Sequence, residues 1–178
     1  MDDGIKFSDI FDVSLTDPGD PSYKKVTTYM GTEWLRLKPG MAKAAAFLET
    51  RRYAAWVGAT TEFNKMEYIA YNKADNKFYI TISRVEKGLT DAVGDIQGVA
   101  VNMGGAILEL STAPGQKDMS GKRIDSRFVG TTLTSIPQLM GGYGTADAEG
   151  NKCNQTQICG PDNIVYEDSI RTLFIGED

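Results

Sequence analysis

The sequence contains no histidine. That excludes a histidine general base and histidine-rich zinc sites within the chain. It has no excess of positive charge either. The 19 Lys and Arg are outnumbered by 24 Asp and Glu, giving a net charge of −5 with no basic aromatic patch. A nucleic-acid partner is therefore not expected. No apolar run approaches the length needed to cross a bilayer. The acidic start, Met1-Asp2-Asp3-Gly4, lacks a signal-peptide pattern. Cysteine is scarce. Cys153 and Cys159 have five residues between them in the polar loop N-K-C-N-Q-T-Q-I-C-G-P. They form either a local disulfide, which implies an oxidising compartment, or a free pair, and the spacing is not a standard zinc signature.

What is present suits a globular chain. A length of 178 residues, 41% hydrophobic content and 19 glycines suggest one domain able to bury a core. With histidine absent, any metal must be held by carboxylates, carbonyls or thiolates, which favours hard cations such as calcium.

The most informative stretch is Thr60–Gly88. Met66, Tyr68 and Ala70 alternate with Glu67, Ile69 and Tyr71. Lys73–Lys77 breaks the pattern with turn-forming residues, and Phe78–Ile82 resumes as an aromatic and β-branched run. This reads as a hairpin with charge at both ends: Glu62 and Glu67 enter it, Arg84 and Glu86 leave it. Residues two apart on an extended chain share a face. Arg84 beside Glu86 is then either a solvated salt-bridge edge or a phosphate-and-metal site.

The hairpin recurs. At a constant separation of 95, Ile69, Tyr71, Phe78, Tyr79 and Ile80 fall on Ile164, Tyr166, Leu173, Phe174 and Ile175 without a gap. Glu67 falls on Asp162, Lys73–Lys77 on Asp168–Thr172, and Ser83 on Asp178. A repeated strand–turn–strand unit points to a propeller or a similar radial array. The expected fold is mainly β: a partial, elaborated β-propeller with hairpins at about 66–86 and 161–178. Acids at matching blade positions would approach one axis, where converging like charges need a cation. Alternatively, both acids cap turns.

The rest of the chain is read more coarsely. Residues 5–38 form an extended or short-strand segment, then a loop, then a weak alternation at Trp34–Leu37. Residues 41–57 are alanine-rich and predict one inserted α-helix, with Ala44, Phe47, Leu48, Arg51 and Ala55 at helical spacing. Glu49 and Arg52 are placed to pair on it, and Gly58 to end it. Leu89–Met103 is expected as a loop over the array, and Gly104–Leu110 as an inner strand. Phe128–Met140 fits helix or strand. The chain stops on a strand, which reads as a fragment of a larger propeller with an open sheet edge.

Several blocks carry a resemblance. They are Pro39-Gly40-Met41, Ala44–Ala55, Gly58–Glu67, Ile82–Gly88, Pro161–Ile164 and Gly176-Glu177-Asp178. Together they resemble the PhoX-type alkaline phosphatases, from about Trp34 onward. The resemblance implies a secreted or periplasmic bacterial phosphomonoesterase on an elaborated six-bladed propeller, with a calcium–iron cluster in its axial channel. Carried onto this sequence, it implies that Arg84 binds the substrate phosphate and that Glu86 and Asp178 are cluster ligands. Glu67, Asp162 and Glu177 are implied as further metal ligands, Asn163 as a substrate-binding neighbour, and Glu62 more weakly. The implied partners are a small phosphomonoester and the rest of the parent chain, so this portion would be inactive alone. Two other readings stand beside it: a non-catalytic calcium-binding propeller module, and another propeller hydrolase such as a lactonase.

Overall fold

In the computed structural model, the residues described are 4–28, 31–90, 96, 99–118 and 120–178. Met1–Asp3 and much of the expected loop between Leu89 and Met103 lie outside them. The chain divides into two compact units: Met1–Phe63 with Lys87–Gly98, and Asn64–Glu86 with Val99–Asp178. Both are built on antiparallel sheets, and the protein is mainly β.

The first unit opens with a single helical turn, α1 (Phe7–Ile10), running straight into β1 (Phe11–Ser14). Strands β2 (Lys24–Thr28) and β3 (Gly31–Leu37) complete a sheet of order β1-β3-β2. Ile10, Phe11, Val26, Leu35 and Ala45 form its core. The helix expected at 41–57 is two helices, α2 (Ala42–Leu48) and α3 (Thr50–Trp56). They part at Glu49, whose backbone (φ −129°, ψ 43°) is not helical. The expected apolar stripe is corrected with it. Phe47 and Leu48 are 76% and 57% exposed, while Ala45 is fully buried. Ala44 and Ala55 of that stripe do pack on the core, joined after the break by Tyr53 and Trp56. Arg52 fastens α3 by bonding Glu49 at 2.9 Å, the pair the spacing predicted, and Glu33 of β3 at 2.7 Å. Gly58 follows the helix end at φ +101°, a left-handed stop that glycine adopts without strain.

The second unit holds a four-stranded meander: β4 (Met66–Asn72), β5 (Lys77–Ile82), β6 (Ala106–Ala113) and β7 (Val129–Met140), adjacent in that order. The stretch that fits helix or strand is thus strand from Val129 to Met140. The hairpin of β8 (Pro161–Glu167) and β9 (Thr172–Glu177) follows as a sheet of its own. These are open sheets among the described residues.

The 95-residue repeat read in the sequence is reproduced in the pairing. Ile69 faces Ile80 as Ile164 faces Ile175, and Asn72 faces Lys77 as Glu167 faces Thr172. Each hairpin has a β-bulge at the same place, between Met66 and Ile69 in one and Pro161 and Ile164 in the other. Each turn ends on a left-handed residue, Asn76 at φ 53° and Arg171 at φ 51°. Asparagine tolerates that conformation better than arginine does.

The two hairpins stack. Ala70, Ile107 and Ile164 form one buried cluster, with Tyr79, Tyr166, Leu173 and Ile175 packed against it. The Thr81 hydroxyl donates to the Asp162 carbonyl at 2.7 Å, which fixes the start of β8 beside the end of β5.

Candidate functional site

In an antiparallel meander the start of one strand and the end of the next lie at the same end of the sheet. The start of β4, the end of β5 and the start of β6 therefore share one end. The Thr81–Asp162 bond brings the start of β8 and the end of β9 there too. Glu67, Arg84, Asp162, Asn163, Glu177 and Asp178 all map to that end of the second unit.

Each is held differently. Glu67 is exposed and accepts a 2.8 Å hydrogen bond from the Ser83 hydroxyl, across the mouth of the hairpin. Arg84 is exposed and Glu86 is partly buried, on either side of buried Val85. Val85 exchanges two backbone hydrogen bonds with Asn102, of 2.8 and 2.9 Å, which gives this short segment a fixed extended course. Asp162 and Asn163 sit inside the second bulge, where the Asn163 amide donates to the Asp162 carboxylate at 3.2 Å. Glu177 accepts the backbone N–H of Cys159 at 3.0 Å. Asp178 is exposed, and its N–H donates to the Gly160 carbonyl at 3.0 Å.

Glu62 belongs to the first unit and is buried, with its carboxylate accepting from the Thr60 hydroxyl at 3.0 Å and the Ile96 N–H at 2.7 Å. Both bonds fall on the same carboxylate oxygen.

Close backbone packing tightens this end of the sheet. Gly105 N–H donates to the Asn102 carbonyl at 3.1 Å, Gly141 N–H to the Gly105 carbonyl at 2.9 Å, and Gly160 N–H to the Gly104 carbonyl at 2.9 Å. The Asn102 amide donates to the Gly141 carbonyl at 2.9 Å and its side-chain oxygen accepts from Gly104 N–H at 2.9 Å. A Cβ on Gly141 would overlap the Gly104 carbonyl, so the two backbones meet this closely only because residue 141 is glycine. Ser83, Thr81 and Asn102 anchor the acids and their segment, roles that no local sequence pattern marks. Paired glycines at 104–105 and 141–142 were the available signal of a close backbone approach.

Cys153 and Cys159 are joined in a disulfide. Neither offers a thiolate to a metal. The carboxylates are of a type that suits calcium, but among the described residues no three His, Cys, Asp or Glu side chains gather into a metal-holding group. No described helix is long and apolar enough to cross a membrane.

No protein family, no curated protein and no solved structure matches this chain.

Proposed function

We propose that this chain is a portion of a metal-dependent phosphomonoesterase of the PhoX alkaline-phosphatase type, built on a partial β-propeller. The observation behind the proposal is the duplicated, bulged hairpin, which sends Glu67 and Asp162 from equivalent positions to the same end of the second unit as Arg84, Glu177 and Asp178. A four-stranded meander followed by a second copy of its first hairpin is what a propeller blade and the start of the next would look like.

In this reading the Arg84 guanidinium, exposed and without an ion-pair partner among the described residues, clamps two phosphate oxygens of a small phosphomonoester. Glu86 and Asp178 supply carboxylate oxygens to calcium, with Glu67, Asp162 and Glu177 as further donors and Asn163 beside the substrate. Calcium and iron, when bound, would neutralise charge on the phosphoryl group and activate an oxygen nucleophile. The setting is periplasmic or secreted, without a nucleic-acid partner.

The test is hydrolysis of p-nitrophenyl phosphate in calcium by the protein containing this chain. Arg84→Ala should lower kcat/KM by about a hundredfold or more, the scale of a lost charge-assisted contact to phosphate. Normal turnover in that variant would end the assignment.

A second reading has an observation of its own. Glu67 and Glu177 already hold Ser83 and the Cys159 amide. That favours a non-catalytic module, stabilised by calcium and without hydrolysis. Another hydrolase on the same scaffold, such as a lactonase, would be separated from the first reading by a substrate panel.

A further inference from the structure

The connection between β6 and β7 carries a feature that the proposed phosphatase site does not use. Leaving β6 at Ala113, it folds into a small hairpin of its own before β7 begins at Val129. Asp118 N–H donates to the Lys122 carbonyl and Ile124 N–H to the Gln116 carbonyl, both at 2.9 Å. Lys117 and Arg123 pair between those bonds. The Asp118 carboxylate closes the turn, accepting from the Ser120 hydroxyl at 2.6 Å, the Ser120 N–H at 2.9 Å and the Lys122 N–H at 3.0 Å.

Charge on this hairpin works against its own stability. Lys117 and Arg123 stand directly opposite one another, where like charges repel. Lys122 and Arg127 are close by in sequence. All four are exposed, and none makes an ion pair among the described residues. Asp118 is taken up by the turn. Cations are thus gathered here in a chain whose net charge is −5.

At the foot of the hairpin lies a groove of about 370 Å³, a size typical of small-molecule sites. Arg123 and Arg127 line it together with Asp125, so two guanidiniums face one carboxylate. Pro114, Ile124 and Phe128 supply its apolar wall. Phe128 is steadied by edge-on packing with Tyr71 and Phe78, yet stays 51% exposed. Every lining residue belongs to one continuous stretch, so no distant segment has to arrive to build the groove.

We infer that this groove binds a small molecule with a flat apolar body and an oxyanion, phosphate or carboxylate. A guanidinium fork matches either group, and the ring packs against Phe128. Arg123 belongs both to the groove and to the repelling pair, so an oxyanion on it also offsets the repulsion across the hairpin. The groove's size suits one ring with its charged group rather than a polymer. The inference does not depend on the phosphatase reading.

Isothermal titration of the protein with phenyl phosphate and with benzoate reads the two sources of the oxyanion. Benzamide, similar in shape to benzoate and neutral, is the control. At least one anion should bind with a Kd of about 1 mM or below, weaken as salt rises, and bind about tenfold or more tightly than benzamide. The anion that does so names the source; if both do, the groove takes either. Arg123→Ala and Arg127→Ala should each weaken binding about tenfold. Asp125→Asn should tighten it, because the opposing charge is removed. Near-UV circular dichroism checks folding, and Arg123→Gln and Arg127→Gln replace any alanine variant that is unfolded. Arg84→Ala should leave this binding unchanged. Binding that disappears in Arg84→Ala belongs to the proposed phosphatase site and overturns the inference. So does binding of neither anion above benzamide, or an unaltered affinity in both arginine variants.

Discussion

The Arg171 guanidinium lies 2.8 Å from the Asp75 carboxylate, tying the turn of the second hairpin to the turn of the first. The repeat does not place these residues at equivalent positions, since Asp75 corresponds to Ile170 and Arg171 to Asn76. The bridge is a difference laid over a duplication, and it belongs to the stack rather than to either hairpin. Arg171 is 60% exposed, so the bridge steers more than it stabilises.

The Asp75 carboxyl is held below the ordinary carboxylate range, first by the Asn72 amide and then by Arg171. A depressed folded-state pKa contributes stability above the unfolded value of about 3.9, and that contribution is lost as pH falls through the folded value. Asp75→Asn should therefore melt below the parent at neutral pH, and the gap should close in strong acid. Melting curves across the acid range check this. A gap that persists unchanged at the lowest pH would mean that the carboxylate is not the cause.

Asn76→Ala should destabilise the protein by about 2 kcal/mol. Alanine keeps the left-handed φ at a penalty of about 1 kcal/mol, and the Asn76 amide bond to the Thr112 carbonyl, 2.8 Å, is lost. Asn76→Gly should recover the backbone part alone. Denaturant unfolding of the three proteins measures both parts.

Gly105→Ala should be severe. Its φ is +75°, and a Cβ there would overlap the Ile82 carbonyl and crowd that of Ser83. Backbone atoms cannot swing aside as a side chain can, so a loss above about 2 kcal/mol is expected, with β5 and β6 pushed apart. A melting temperature equal to the parent's would show that the two strands can separate freely.

Reducing Cys153–Cys159 opens a short loop, with a sequence separation of 6. Chain-entropy reasoning assigns such a loop about 2 kcal/mol. The Cys159 amide, bonded to Glu177, should exchange hydrogen faster on reduction, while the buried strands of the first unit should be unaffected. Hydrogen exchange with and without reductant reads both.

The hairpins were legible in the sequence because alternation and turn chemistry are local, and because the same pattern occurs twice at one spacing. The Glu49–Arg52 pair and the Gly58 stop were legible for the same reason. The break at Glu49 was not. Alanine-rich spacing favours continuous helix, and it is contact with the sheet at Ala45, then at Tyr53 and Trp56, that rewards two shorter helices. Phe128–Met140 was ambiguous because its exposed strand lacks an apolar face, and only pairing with β6 selects extended backbone.

By itself the sequence determined the residue types available and their duplication: acids and one arginine at hairpin ends, no histidine, and two cysteines close enough to meet. Tertiary structure alone decided that the cysteines are bonded, that Glu67 and Glu177 already serve Ser83 and the Cys159 amide, and that the second hairpin stacks on the first through Ile164 and Ala70. The reason is range. Propensity and spacing act over a few residues, whereas burial and hydrogen-bond partners depend on which distant segments arrive at the same place.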